Sequence, residues 1–199
     1  MNKEQDPRIV VLTAPSGAGK TTVANRLLEA FPTMRFSVSA TTRPQRENEL
    51  QGVHYYFLTQ AQFDQALLDG ELLEYEEVYR GCWYGTLRQE VEKSSREKPT
   101  LLDIDVKGAL TVKKTYGDQA LVLFLEPPSL EELERRLRNR QSESEESIRE
   151  RVARAREELR YSDRFEAIVV NDTLENAVEE ARGLVSDFLS SDSKSLGPG

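Results

Sequence analysis

Residues 14–21, Ala14-Pro15-Ser16-Gly17-Ala18-Gly19-Lys20-Thr21, have the types and spacing of a phosphate cradle. They follow the pattern GxxxxGK[ST], with alanine in place of the first glycine. Glycines let such a loop wrap until successive backbone N–H groups point inward at phosphate oxygens. A helix beginning at the end of the loop adds unpaired N–H groups and a partial positive charge. Lys20 then reaches the outer phosphates of a nucleoside triphosphate, and the Thr21 hydroxyl suits Mg2+. The first position requires a small residue more than a positive φ, so Ala14 leaves the pattern intact.

Binding a nucleoside triphosphate is compatible with a GTPase, an ATPase, a motor or a kinase. A GTPase would carry an Asn-Lys-x-Asp motif late in the chain, whereas the late apolar run ends Val170-Asn171-Asp172-Thr173. A second set of groups suits a phosphorylated acceptor. Ser39-Ala40-Thr41-Thr42-Arg43-Pro44-Gln45-Arg46 places two arginines three residues apart after hydroxyl residues, and arginine forks match phosphate bidentately. Tyr55 and Tyr84 add phenolic donors. Glu74 lies at the edge of an apolar run, where composition alone favours a solvent-facing strand residue. Arg136 and Arg140 are four apart and share a helix face. Arg151 follows on the next helical segment, while Arg149 points to nearly the opposite side. Each of these arginines is alternatively a surface residue paired with Glu134, Glu143 or Glu150. Histidine occurs once, at His54, which weighs against His-based triads and metal sites.

The elements needed to position these groups are legible. Ile9 to Thr13 is short, apolar and β-branched, as in a strand buried on both faces. Thr21 to Phe31 has helical spacing and is closed by Pro32. The rhythm returns in a strand at 101–105 and a helix from about Lys107, then in a strand at 120–125 and a helix at 129–140. A strand at 167–170 and a helix at 174–189 complete it. Strands alternating with helices predict an α/β fold, a parallel sheet covered on both faces. The segment 37–86 breaks the rhythm with three strand-like runs and a helix at about 60–68, and is predicted to be an inserted, β-rich subdomain. Residues 139–147 are polar, lie between arginine-rich helical segments, and read either as a mobile cap or as a plain solvated turn. Residues 190–199 have nothing to bury and are expected to be disordered.

Composition bounds the partners. The 199 residues are 38% hydrophobic and 31% charged, with a net charge of −8. That suits one soluble domain without the broad basic surface that nucleic acid requires. There is no apolar run long enough for a bilayer and no secretory layout at the N-terminus. The single cysteine, Cys82, fits a reducing compartment, so a cytoplasmic location is expected.

SGAGKTT, SVSATTR followed by Arg46, LLEYEEV, WYGT, LLDIDVKG, LEPPS, SESEESIRERV and VVND occur in an order that resembles the guanylate kinases, from about Arg8 to Leu189. The resemblance implies ATP and Mg2+ as co-substrate and metal, GMP as acceptor, and no obligate protein partner. It implies a P-loop core (1–36 and 87–189, lid about 138–150) with a GMP-binding subdomain at 37–86. Arg43, Arg46, Tyr55 and Tyr84 would hold the GMP phosphate, and Ser39, Glu74, Thr86 and Asp105 would read the base. Guanine offers N1–H and an exocyclic amine, which a carboxylate at Glu74 can accept together, with Asp105 accepting again from the amine. Adenine would turn a lone pair toward Glu74. Arg136, Arg140 and Arg151 would contact the ATP phosphates and the migrating group. Asp103, ending its strand beside the P-loop, would orient Mg2+, and Asp105 is expected on the opposite strand face, toward the acceptor. Asn171 and Asp172 are candidates for adenine contacts by position. One departure stands out: Tyr79 to Trp83 is one residue longer than the family spacing.

Overall fold

The fold is that of a computed structural model, which describes residues 6–79, 81–139 and 145–191. In chain order the elements are β1 (Ile9–Thr13), α1 (Lys20–Ala30), β2 (Arg35–Phe36), β3 (Ala40–Thr41), β4 (Tyr56–Phe57), α2 (Gln60–Leu68), β5 (Leu72–Tyr79) and β6 (Cys82–Leu87). Then follow α3 (Arg88–Glu92), β7 (Thr100–Asp103), α4 (Val106–Tyr116), β8 (Ala120–Glu126), α5 (Leu130–Arg138), α6 (Glu145–Leu159), β9 (Ala167–Val170) and α7 (Leu174–Ser190). The main sheet has the order β2-β7-β1-β8-β9, and all its pairings are parallel.

Strand periodicity explains the three layers. Val10 and Leu12 project to one face, where they join Val23 and Leu27 of α1 and Ala177, Ala181 and Val185 of α7. Ile9 and Val11 project to the other, where they meet Val91 of α3, Val106, Ala109 and Val112 of α4, and Phe165. β1 is buried along its whole length because it sits in the centre of the sheet with helices on both sides. The predicted α/β class and parallel, doubly covered core are therefore those observed.

The inserted segment has its own mixed sheet, β4-β3-β6-β5, and a small core of Ala40, Phe63, Ala66, Leu72 and Leu87. Its helix α2 starts at a reciprocal capping box between Thr59 and Gln62. The β5–β6 hairpin contains two register shifts, one between Leu72 and Glu74 and one between Glu77 and Tyr79. Between the two shifts the register is regular, and Tyr84 pairs with Glu76 and Thr86 with Glu74. Leu73, the residue left over at the first shift, joins the main core and fastens the insertion to it.

Two boundaries differ from expectation. β7 ends at Asp103, so Asp105 is not a strand residue; its side chain caps α4 instead. At the C-terminus, α7 runs to Ser190, and the carbonyl of Ser191 accepts a hydrogen bond from Arg8 (2.5 Å). Arg8 is buried and its guanidinium lies over the Phe188 ring at 5.1 Å, which ties the end of α7 to the start of β1. Residues 192–199 of the tail lie outside the described residues. Among the described residues, no helix is long and apolar enough to cross a membrane.

Phe124 in β8 is fully buried and stacks on Phe165 with ring centroids 5.4 Å apart. Phe124→Ala is expected to lower unfolding free energy by about 3–5 kcal/mol with an unchanged urea m-value; a loss below about 1 kcal/mol would show that this face of the core is not cooperative with the sheet.

Candidate active site

The carboxyl ends of β1 and β7 open into a cleft of about 360 Å³. The loop after β1, the one with the spacing of a phosphate cradle, supplies one wall. Gly17 and Gly19 take φ values of 97° and 94°, the left-handed region that glycine enters without a Cβ penalty. Both are also crowded. A Cβ on Gly19 would sit 2.6 Å from Nδ2 of Asn171, and one on Gly17 would sit 3.1 Å from Cγ of Leu137. The loop is thus pinned from behind: Asn171 is buried and donates to the carbonyl of Ala18 (2.6 Å). Gly19 caps α1, so the first turn of that helix faces the cleft.

Lys20 lies between two acceptors, the carboxylate of Asp103 (2.8 Å) and the carbonyl of Ile104 (2.9 Å). Both follow from the parallel pairing of Leu12 with Asp103, which brings the end of β7 alongside the cradle. Asp103 and Asp105 were expected on opposite strand faces. In a continuous strand, residues two apart share a face; these two diverge because the chain leaves the sheet after Asp103. The carboxylate of Asp105 accepts from the N–H groups of Lys107 (2.8 Å) and Gly108 (3.0 Å) at the start of α4.

The opposite wall comes from the insertion. Glu74 is 7% exposed, so it is no solvent-facing strand residue. Leu72 pairs with Leu87 and Glu74 with Thr86. Since residues 86 and 87 are consecutive and point to opposite faces, so do Leu72 and Glu74, although they are two apart. The bulge sends Leu72 into the subdomain core and Glu74 toward the cleft. Thr86 donates its hydroxyl hydrogen to Glu74 (2.5 Å). Burial pushes the Glu74 carboxyl up to about 7; the Thr86 hydroxyl opposes that rise, and the Asp105 charge reinforces it.

Arg43 is held by several partners. Its two terminal nitrogens form a fork on Glu49 (2.8 Å each), its Nε donates to the Tyr84 hydroxyl (3.2 Å), and its plane lies over the rings of Tyr55 and Phe57. The Arg43 fork, with the N–H of Arg46 second, holds the Glu49 carboxyl down at about 2. Arg151 reaches from α6 to the Ser16 hydroxyl (2.7 and 3.1 Å).

The structure gathers Ala14, Pro15, Ser16, Gly17, Gly19, Lys20, Thr21, Ser39, Tyr55, Glu74, Tyr84, Asp103, Asp105 and Arg151 around this one cleft. Ala18 and Thr86 stand directly behind the wall, as partners of Asn171 and Glu74. Arg43 reaches the site through Tyr84, and the side chain of Arg46 is exposed beyond it. Arg136 does not line the cleft: it bonds Glu132 (2.8 Å) and the carbonyl of Asn171 (3.0 Å). Its carboxylate partner is thus one turn back on the same helix, none of the three glutamates considered from sequence. Arg140 lies outside the described residues. Asn171 serves the cradle from behind and Asp172 caps its own turn, so neither faces the cleft.

Three residues were missed from sequence. Glu49 gave no signal because it sits in a polar loop, six positions from the arginine it clamps. Arg154 and Glu158 line the cleft beside Val78, and Arg154 donates to the Val78 carbonyl (2.5 Å), joining α6 to β5. Their i,i+4 spacing on a charged helix resembles any surface pair.

Comparison with known proteins agrees along nearly the whole chain. The family described as guanylate kinase matches residues 6–188. The guanylate kinase of Salinibacter ruber is 56% identical over 94% of this chain and 99% of its own length. That of Chlorobium luteolum is 50% identical over 94% and 95%. A crystal structure of guanylate kinase from Anaplasma phagocytophilum superposes with a TM-score of 0.76 at 31% identity, covering 94% of this chain and 89% of that one.

The titration of Glu74 gives a test of the site's electrostatics. Its folded pKa, about 7, lies above the ordinary 4.5, so folding favours the protonated form. Stability is therefore lost as pH rises from 4.5 through 7. Glu74→Gln, neutral at every pH, is expected to be the more stable protein at pH 8 by on the order of 3 kcal/mol. Urea titrations should show that gap closing toward pH 4.5; a gap independent of pH would mean that the carboxylate is not desolvated.

Proposed function

The chain belongs to the guanylate kinase family, and from that premise we propose that it transfers the terminal phosphoryl group of ATP to GMP, forming ADP and GDP. The observation that carries this reading is the facing of two different walls across one cleft. One is a glycine cradle with Lys20, and the other holds a buried carboxylate, Glu74, beside phenolic and guanidinium donors. A triphosphate suits the first wall, and a base with two adjacent donors suits the second.

In this reading the chain has three working parts: a core of residues 1–36 and 87–189, a GMP-binding subdomain at 37–86, and a lid at about 138–150. Arg43, Arg46, Tyr55 and Tyr84 hold the GMP phosphate. Glu74 accepts from guanine N1–H and the amine, Asp105 accepts from the amine, and the hydroxyls of Ser39 and Thr86 donate to O6. The GMP phosphate is already anionic at neutral pH, so no residue has to act as a strong base. Its oxygen attacks the γ-phosphorus in line while the bond to the β-phosphate oxygen breaks and ADP departs. Lys20 exchanges its Asp103 and Ile104 partners for phosphate oxygens and neutralises charge on the migrating group. Arg151, already beside the cradle at Ser16, contributes a second cation. Arg136 and Arg140 complete the set on lid closure, Arg136 by leaving Glu132 and the Asn171 carbonyl. Closure also excludes water as a competing acceptor.

Mg2+ requires oxygen ligands and commonly one or two protein groups besides phosphate. Thr21 and Asp103 meet that demand, since both offer oxygen at the cradle's edge of the cleft. The ion would supply charge neutralisation between the outer phosphates. The acidic composition and single cysteine support a cytoplasmic site of action.

ADP release measured with GMP, AMP, UMP and CMP tests the assignment. GMP is expected to be the preferred acceptor, and Lys20→Met to lower turnover with any acceptor by at least about 100-fold. Glu74→Gln should cut kcat/KM for GMP by about 10- to 100-fold while leaving the slow rates with other acceptors unchanged. Faster turnover of AMP than of GMP would refute the assignment of the base pocket.

A further inference from the structure

Gly108 occupies the first turn of α4, three residues after its Asp105 cap. Its φ is not in the left-handed region, so backbone geometry does not call for glycine there. Helix propensity argues against it, since alanine is the better residue in a helix interior. The reason for glycine is across the gap. A Cβ at position 108 would lie 2.9 Å from Cδ and 3.3 Å from Cγ of Glu74, with the carboxylate oxygen Oε2 nearer still, against an ordinary contact of 3.4 Å or more.

All the atoms that such a Cβ would meet within 4 Å among the nearest three belong to this one side chain. Glu74 is closely confined: its other oxygen accepts from Thr86, and it is buried between β6 and α4. The carboxylate therefore rests on the bare Cα of Gly108, in the first turn of α4. We infer that Gly108 is a specificity-determining positioning residue, whose missing side chain sets the depth at which the Glu74 carboxylate meets the acceptor base. The inference rests on the reading of Glu74 as the group that reads that base. An added methyl would displace the movable end of a side chain rather than backbone, so the fold tolerates it while the carboxylate shifts. Misplacement of a positioned group by about 1 Å can cost on the order of 100-fold in rate.

The experiment compares the full chain with Gly108→Ala, Glu74→Ala and the double variant, reading kcat/KM for GMP and AMP, KM for ATP, and Tm. Gly108→Ala is expected to lower kcat/KM for GMP by about 10- to 100-fold, mainly through KM. KM for ATP should stay within about two-fold, and Tm should change by no more than about 2–4 °C, the alanine's helix propensity offsetting the displacement of Glu74. In the Glu74→Ala background the same alanine has no carboxylate to displace, so its further effect should be within about two-fold. An equal loss in both backgrounds, or no loss in the native one, would overturn the role given to Gly108. If the native chain itself shows no preference for GMP over AMP, the fault lies instead with the reading of Glu74, on which this one stands.

Discussion

Parallel pairing of β1 with β7 is the constraint from which the site follows. The register sets Leu12 beside Asp103, and at that point both chains leave the sheet. One turns through left-handed glycines into α1, and the other passes Ile104 into α4. A phosphate cradle, an ammonium group and a carboxylate are thereby brought to one edge without any long side chain having to search for its place. The Lys20–Asp103 ion pair is the direct product of this register.

The insertion solves a different problem. It turns a carboxylate toward the cleft while keeping that group largely buried. A regular strand would place Glu74 on the same side as Leu72, in the small hydrophobic core of the subdomain. One extra residue, Leu73, prevents this. It reverses the alternation and at the same time packs into the main core, so the feature that aims Glu74 also fixes the insertion to the sheet. Burial raises the carboxyl toward neutrality, with Thr86 and the first turn of α4 as its surroundings. The low dielectric that makes the charge costly also makes a mismatched partner costly.

Arginine placement is economical in another way. Arg43 is oriented by the Glu49 fork, the Tyr84 hydroxyl and two aromatic rings. Arg151 and Arg154 extend from one helix, α6, to the cradle and to β5 respectively. That helix therefore touches both walls of the cleft, and a shift of α6 would be felt by the phosphate loop and by the insertion together.

The local order of residues was enough to predict the glycine-bearing turn between β1 and α1, the alternation of buried strands with helices and a second, β-rich segment. Each of these depends on short-range periodicity or on a contiguous motif: Ile9 to Thr13 is apolar throughout, Gly17 and Gly19 precede Lys20, and a short helix is legible at about Gln60 to Leu68. Tertiary structure alone decided the rest. No pattern in LLEYEEVY reveals that Leu73 is an unpaired residue, since a bulge is defined by the partner strand. Asp105 looked like a strand residue until the end of pairing with β1 at Asp103 made it a cap. Glu49 and Gly108 showed nothing in sequence, because the first acts through an arginine six residues away and the second through a carboxylate on another element. Contacts of that kind arise only when chain segments far apart in sequence are packed into the same few ångströms, and a linear pattern holds no record of that distance.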